Sequence, residues 1–106
     1  MKRRDAIIQR IVEMINQTDP NSELYLYGSR ARGTAKKHSD WDLLLLLNSD
    51  HISFDYETSL MDIFYDIELE TGEVLSPLIY TKHDWQTRHR STQLFINITK
   101  DGIKIK

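Results

Sequence analysis

Cysteine is absent from this 106-residue chain. Its absence excludes a disulfide scaffold, a thiolate nucleophile and any cysteine-ligated zinc or iron–sulfur site, and it leans the expected compartment towards the cytosol. Nor is there a surplus of positive charge. Fourteen Lys and Arg stand against 16 Asp and Glu, for a formal charge of −2, so nucleic acid is not an expected partner. Long apolar runs are missing too. The longest, Leu43 to Leu47, is about a quarter of the roughly 20 residues that a membrane-spanning helix needs. The segment Met1-Lys2-Arg3-Arg4-Asp5 starts basic as a signal peptide does, but Gln9, Arg10, Glu13, Asn16 and Gln17 leave no apolar stretch behind it. These absences lead to the expectation of a cytoplasmic chain with no membrane partner. What is present, 40% hydrophobic and 28% charged residues, suits a single domain over residues 1–106 that buries roughly 65% of its unfolded surface.

Hydrophobic spacing supplies the elements. Ile7, Ile8, Ile11, Val12 and Ile15 recur at three and four residues and predict an amphipathic helix over 3–17. Asp19-Pro20-Asn21-Ser22 stops it, because the residue before proline is driven from the helical region. Leu24 to Tyr27 reads as a short strand closed by Gly28-Ser29, and residues 30–39 as one helical turn and a loop. Asp40 to Leu47 reads as a second strand; a run of five leucines suits a strand covered on both faces. Helical spacing returns over 55–71, with Leu60, Ile63, Phe64 and Ile67 on one side and Gly72 as C-terminal cap. Val74 to Tyr80 reads as a third strand, placed at an edge or a bulge by Pro77. A last helical stretch opens near Thr81 or Asp84, with Trp85, Leu94, Phe95, Ile96 and Ile98 as core anchors. The expected class is α/β (α+β), a small mixed sheet flanked by helices.

One segment carries chemistry. Gly28 ends a strand where the backbone turns sharply and a ligand approaches closely, which a residue without Cβ permits. Ser29 follows at the first turn of a helix, where free N–H groups and a hydroxyl suit a phosphate. Asp40 and Asp42 alternate with Trp41, so both carboxylates project from one face while Trp41 points into the core. Two such charges repel unless a cation lies between them, and Mg²⁺ takes one or two carboxylates plus phosphate oxygens. If the two strands run antiparallel, Gly28-Ser29 lies beside Asp40 and Asp42. A phosphoryl- or nucleotidyl-transfer site is then the expectation. His38, His51, His83 and His89 lack metal-ligand spacing, and Lys36, Lys37 and His38 are expected in water.

The pattern Gly-Ser-Arg-Ala-Arg-Gly…Ser-Asp-X-Asp-Leu, with ten residues between Ser29 and Asp40, resembles the minimal nucleotidyltransferases of the DNA polymerase β superfamily. The resemblance implies the polymerase β-like nucleotidyltransferase fold. It also implies transfer of a nucleoside monophosphate, usually from ATP, to a hydroxyl or amine, with Mg²⁺ (or Mn²⁺) as cofactor. Carried over, Gly28 and Ser29 hold the triphosphate, Arg32 is a phosphate contact or a surface cation, and Asp40 and Asp42 are the catalytic metal ligands. It further implies a helical HEPN-type protein partner for an antitoxin; apart from the resemblance, a small sheet that needs cover leads to the expectation of a homo- or hetero-oligomer. One departure stands out. The family places a third carboxylate on a later strand, whereas Val74 to Tyr80 has none and offers Ser76 or Leu78 there. Glu70 and Glu73 flank that strand and are expected to be exposed. Two readings therefore stay open: an adenylylating enzyme, or a catalytically impaired module that binds nucleotide or partner.

Overall fold

The leucine run forms the middle of a sheet in a computed structural model that describes residues 2–106. Along the chain lie α1 (Arg3–Thr18), β1 (Glu23–Tyr27), α2 (Ser29–Arg32), β2 (Trp41–Leu47) and α3 (Phe54–Thr71). There follow β3 (Leu75–Thr81), α4 (Lys82–Thr87), α5 (Gln93–Asp101) and β4 (Ile103–Lys104). The strand order is β3-β2-β1-β4, so β2 is flanked on both sides. It runs antiparallel to β1 and parallel to β3, the parallel pair being joined through α3 as a crossover requires. The class is the mixed α/β one expected, and the β1–β2 pair is antiparallel as the site requires.

Alternation along β2 sorts its side chains into two cores. Trp41, Leu43, Leu45 and Leu47 pack against Ile7, Ile11 and Ile15 of α1 and Leu60, Phe64 and Ile67 of α3. Leu44 and Leu46 point the other way, onto Trp85 of α4 and Ile98 of α5. All five leucines are buried, which is why the run shows no polar alternation. The α3 helix is capped at both ends: Ser53 accepts from the Tyr56 N–H, and Gly72 closes it at φ 74°. Pro77 is accommodated because β3 is an edge strand.

Three expectations need correction. The last helical stretch is two helices with residues 88–92 between them, and Thr81 is the cap that starts α4, accepting from the Asp84 N–H. The stretch after Asp101, for which no element was expected, contributes β4, held to β1 through bonds such as Ile105 N–H to the Leu24 carbonyl at 2.9 Å. Its partner, not its own composition, makes it a strand. Ile96 is 52% exposed instead of in the core, since α5 turns Leu94, Phe95 and Ile98 inward. Among the described residues no helix is long and apolar enough to cross a membrane.

Candidate active site

The register of β1 and β2 sets the site, because Tyr27 pairs with Asp42. Gly28 follows at φ 72°, ψ −156°, a region open in practice only to glycine. A Cβ there would also run into the Asp42 carboxylate, with Cγ only 3.1 Å away. Glycine is thus demanded twice, by torsion and by close approach. The chain then winds into α2, where the N–H groups of Ala31 and Arg32 both donate to the Gly28 carbonyl at 3.1 Å. Those of Ser29 and Arg30 precede these bonds and have no acceptor among the described residues. Gly33 ends the turn in the left-handed region at φ 77°.

Across from this corner stand the two carboxylates. Asp42 is half-buried in β2 and Asp40, just before the strand, is exposed. Burial pushes the Asp42 carboxyl above its usual value, the charge of Asp40 pushes it further, and Arg32 pulls it back. Arg32, though exposed, is thereby placed within electrostatic reach of Asp42. Tyr27 lies on the same face; burial, Asp42 and Tyr80 together push its phenol up to about 12. The structure thus brings Gly28, Ser29, Arg32, Asp40 and Asp42 to one corner of the sheet.

Position 76 decides between the two candidates for the third-carboxylate place. Ser76 pairs with Asp42 in register, and its hydroxyl donates to Asp40 Oδ2 at 3.1 Å; Leu78 sits one step further along, beside Leu44. Glu70 is exposed as expected and takes a two-pronged bond from Arg10, at 2.6 and 2.9 Å. Glu73 is not. Its side chain is 14% exposed, accepts from Trp41 Nε1 at 3.1 Å and pairs with Arg3 and Arg30. Because Trp41 faces the α1/α3 core, Glu73 is held on the opposite side of the sheet from Asp42 and cannot complete the set. Among the described residues no three His, Asp or Glu side chains gather as a metal cage. The Asp40 and Asp42 carboxylates, with Asp42 packed against the Gly28 corner, are a donor set that would suit a hard cation able to take phosphate oxygens as well.

Arg30, which the motif includes without a role of its own, holds the loop. Its guanidinium donates to the Ser39 carbonyl at 2.8 Å and to that of Lys37 at 3.3 Å, while stacking 4.5 Å from the Trp41 ring. The ten-residue gap between Ser29 and Asp40 is thereby fixed from behind the sheet. Lys36, Lys37 and His38 stay in water, as expected. Tyr27 and Arg30 were missed as parts of the site; strand pairing of the Tyr next to Gly28 with Asp42 is the signal that finds the first.

A family model described as a nucleotidyltransferase domain matches residues 8–101. No curated protein matches the sequence. Among solved structures, a chain from a toxin–antitoxin crystal structure with AMP-PNP superposes with a TM-score of 0.68 at 18% identity, covering 93% of this chain and 72% of that one. A chain from a mutant MntA-HpeT toxin–antitoxin gives 0.67 at 16% identity, over 93% of this chain and 72% of that one. The MntA-HepT toxin–antitoxin gives 0.62 at 14% identity, over 96% and 71%. At these identities the likeness is one of fold.

Proposed function

This chain belongs to the nucleotidyltransferase domain family, and from that premise we propose that residues 1–106 form one such domain transferring AMP from ATP to a hydroxyl or amine of a protein partner. The observation that carries the reading is the meeting of two strand ends, where Gly28 leaves room against the Asp42 carboxylate. Gly28 and Ser29 receive the triphosphate on the free N–H groups and hydroxyl of α2, and Arg32 offers a guanidinium to its oxygens. Asp40 and Asp42 would hold Mg²⁺, with Mn²⁺ as substitute. Bound there, the cation supplies Lewis-acid polarisation of the phosphate. In the reaction the acceptor oxygen or nitrogen bonds to the α-phosphorus, the bond to the bridging oxygen breaks, pyrophosphate leaves, and the acceptor proton passes to water. This chain's residues orient the triphosphate. Ser76 fixes Asp40 by its hydrogen bond but is no substitute for a carboxylate base.

The toxin–antitoxin neighbours, one of them with AMP-PNP, support a nucleotide ligand and a toxin as the protein acceptor; the motif resemblance supports a helical, HEPN-type one. A second reading rests on Ser76 in register with Asp42: a module that binds nucleotide and partner without turnover. Incubation with α-labelled ATP, Mg²⁺ and a co-encoded helical protein separates the two. The enzyme reading expects label on the partner, reduced about a thousandfold in Asp42→Asn, the equivalent of ~4 kcal/mol of transition-state stabilisation. No label at all, with partner binding intact, establishes the module instead.

A further inference from the structure

The α3 helix is apolar on two faces, and only one is used by the fold. Leu60, Phe64 and Ile67 are buried against the sheet. Phe54, Met61, Tyr65 and Leu69 follow one another at helical spacing along the outer side and are all exposed, Phe54 at 81% and Leu69 at 68%. Large apolar side chains scattered singly on a surface need no explanation, but four in one stripe do.

Charge frames this stripe. The helix carries Asp55, Glu57, Asp62, Asp66, Glu68 and Glu70 and no basic residue. Glu70 is occupied by Arg10 and Glu68 accepts from the Leu75 N–H. Among the described residues Asp55, Glu57, Asp62 and Asp66 make no ion pair. At 100° per residue, Glu57 borders the stripe on one side and Asp55, Asp62 and Asp66 border it on the other.

We propose that the outer face of α3 is a docking surface for a basic amphipathic helix of a protein partner. Such a helix lays apolar side chains along Phe54, Met61, Tyr65 and Leu69 and sets Lys or Arg against the acidic borders. Complementarity selects this occupant. A second copy presenting its own α3 would bring two uncompensated acidic rows together, and an anionic lipid surface would be repelled. The stripe also faces away from the sheet, whereas Asp42 lies on the sheet's other side. Docking here leaves the nucleotide corner open, so the surface stands or falls independently of the transfer activity.

The test uses the full chain and two 18-residue probes: a helix with leucines on one face flanked by lysines, and the same helix with glutamates for the lysines. Calorimetry reads affinity and NMR shifts read location. We expect the lysine peptide to bind at α3 and the glutamate peptide to bind at least about tenfold more weakly. The Met61→Ser/Tyr65→Ser double variant, altered only at exposed positions, should lose about tenfold or more. Asp62→Asn/Asp66→Asn should flatten the salt dependence. Equal binding of both peptides, shifts lying away from α3, or no binding overturns the proposal. So does self-association in sedimentation that the double variant abolishes, since the stripe would then belong to a second copy.

Discussion

The two sides of β2 are built from alternate residues of one strand; both bury leucines, but only the front side begins with a charge. On the back, Trp41, Leu43, Leu45 and Leu47 are at most 1% exposed, and the one polar atom among their side chains, the Trp41 indole N–H, is satisfied by Glu73. On the front, Asp42 carries a charge that burial and Asp40 both oppose, against a glycine in a torsion other residues avoid. The back is wholly core, whereas the front end holds a carboxylate whose charge burial and Asp40 both disfavour. A strand anchored so firmly on one side tolerates strain at the mouth of the other.

Paired substitutions test that division most strongly. Leu45→Ala should destabilise the fold by about 2–5 kcal/mol in urea unfolding, through lost burial and a cavity, while transfer per folded molecule stays unchanged. Gly28→Ala should cost less stability, about 1–3 kcal/mol, yet lower transfer about a hundredfold by displacing Asp42. Equal loss of activity from both would erase the distinction between faces.

A smaller effect sharpens it. The Asp42 carboxyl is raised above its ordinary 3.8, so in metal-free buffer folding favours its protonated form. That contribution is whole below pH 3.8 and is lost as pH rises through the raised value. Asp42→Asn cannot ionise and should therefore melt above the wild type at neutral pH, the gap closing on acidification. Calorimetry across pH 3 to 8 measures it. Mg²⁺ with nucleotide should raise the wild-type Tm and leave the variant's in place.

Much of this was legible from local pattern. The core faces of α1 and α3 followed from helical period, the Gly72 cap from its place, and the buried strand from its leucines and flanking turns. The site corner was legible because Gly28, Ser29, Asp40 and Asp42 lie in one strand–turn–strand unit, where an antiparallel pair leaves little freedom. What failed depended on distant partners. Ile103 and Lys104 become a strand only because β1 offers a free edge, with Lys106 Nζ donating to the Ser22 carbonyl at 2.6 Å. Glu73 looked like an exposed loop acid until Trp41, Arg3 and Arg30 converged on it. The choice between Ser76 and Leu78 needed the β2–β3 register, which no spacing within either strand reveals.

Electron paramagnetic resonance of Mn²⁺ with AMP-PNP, on wild type and Asp42→Asn, probes the corner most directly. With two carboxylates and no third, the account predicts one cation per chain, bound jointly with nucleotide. Asp42→Asn should weaken the cation by at least about tenfold and the nucleotide with it. Nucleotide binding that ignores both the cation and the substitution would contradict the account.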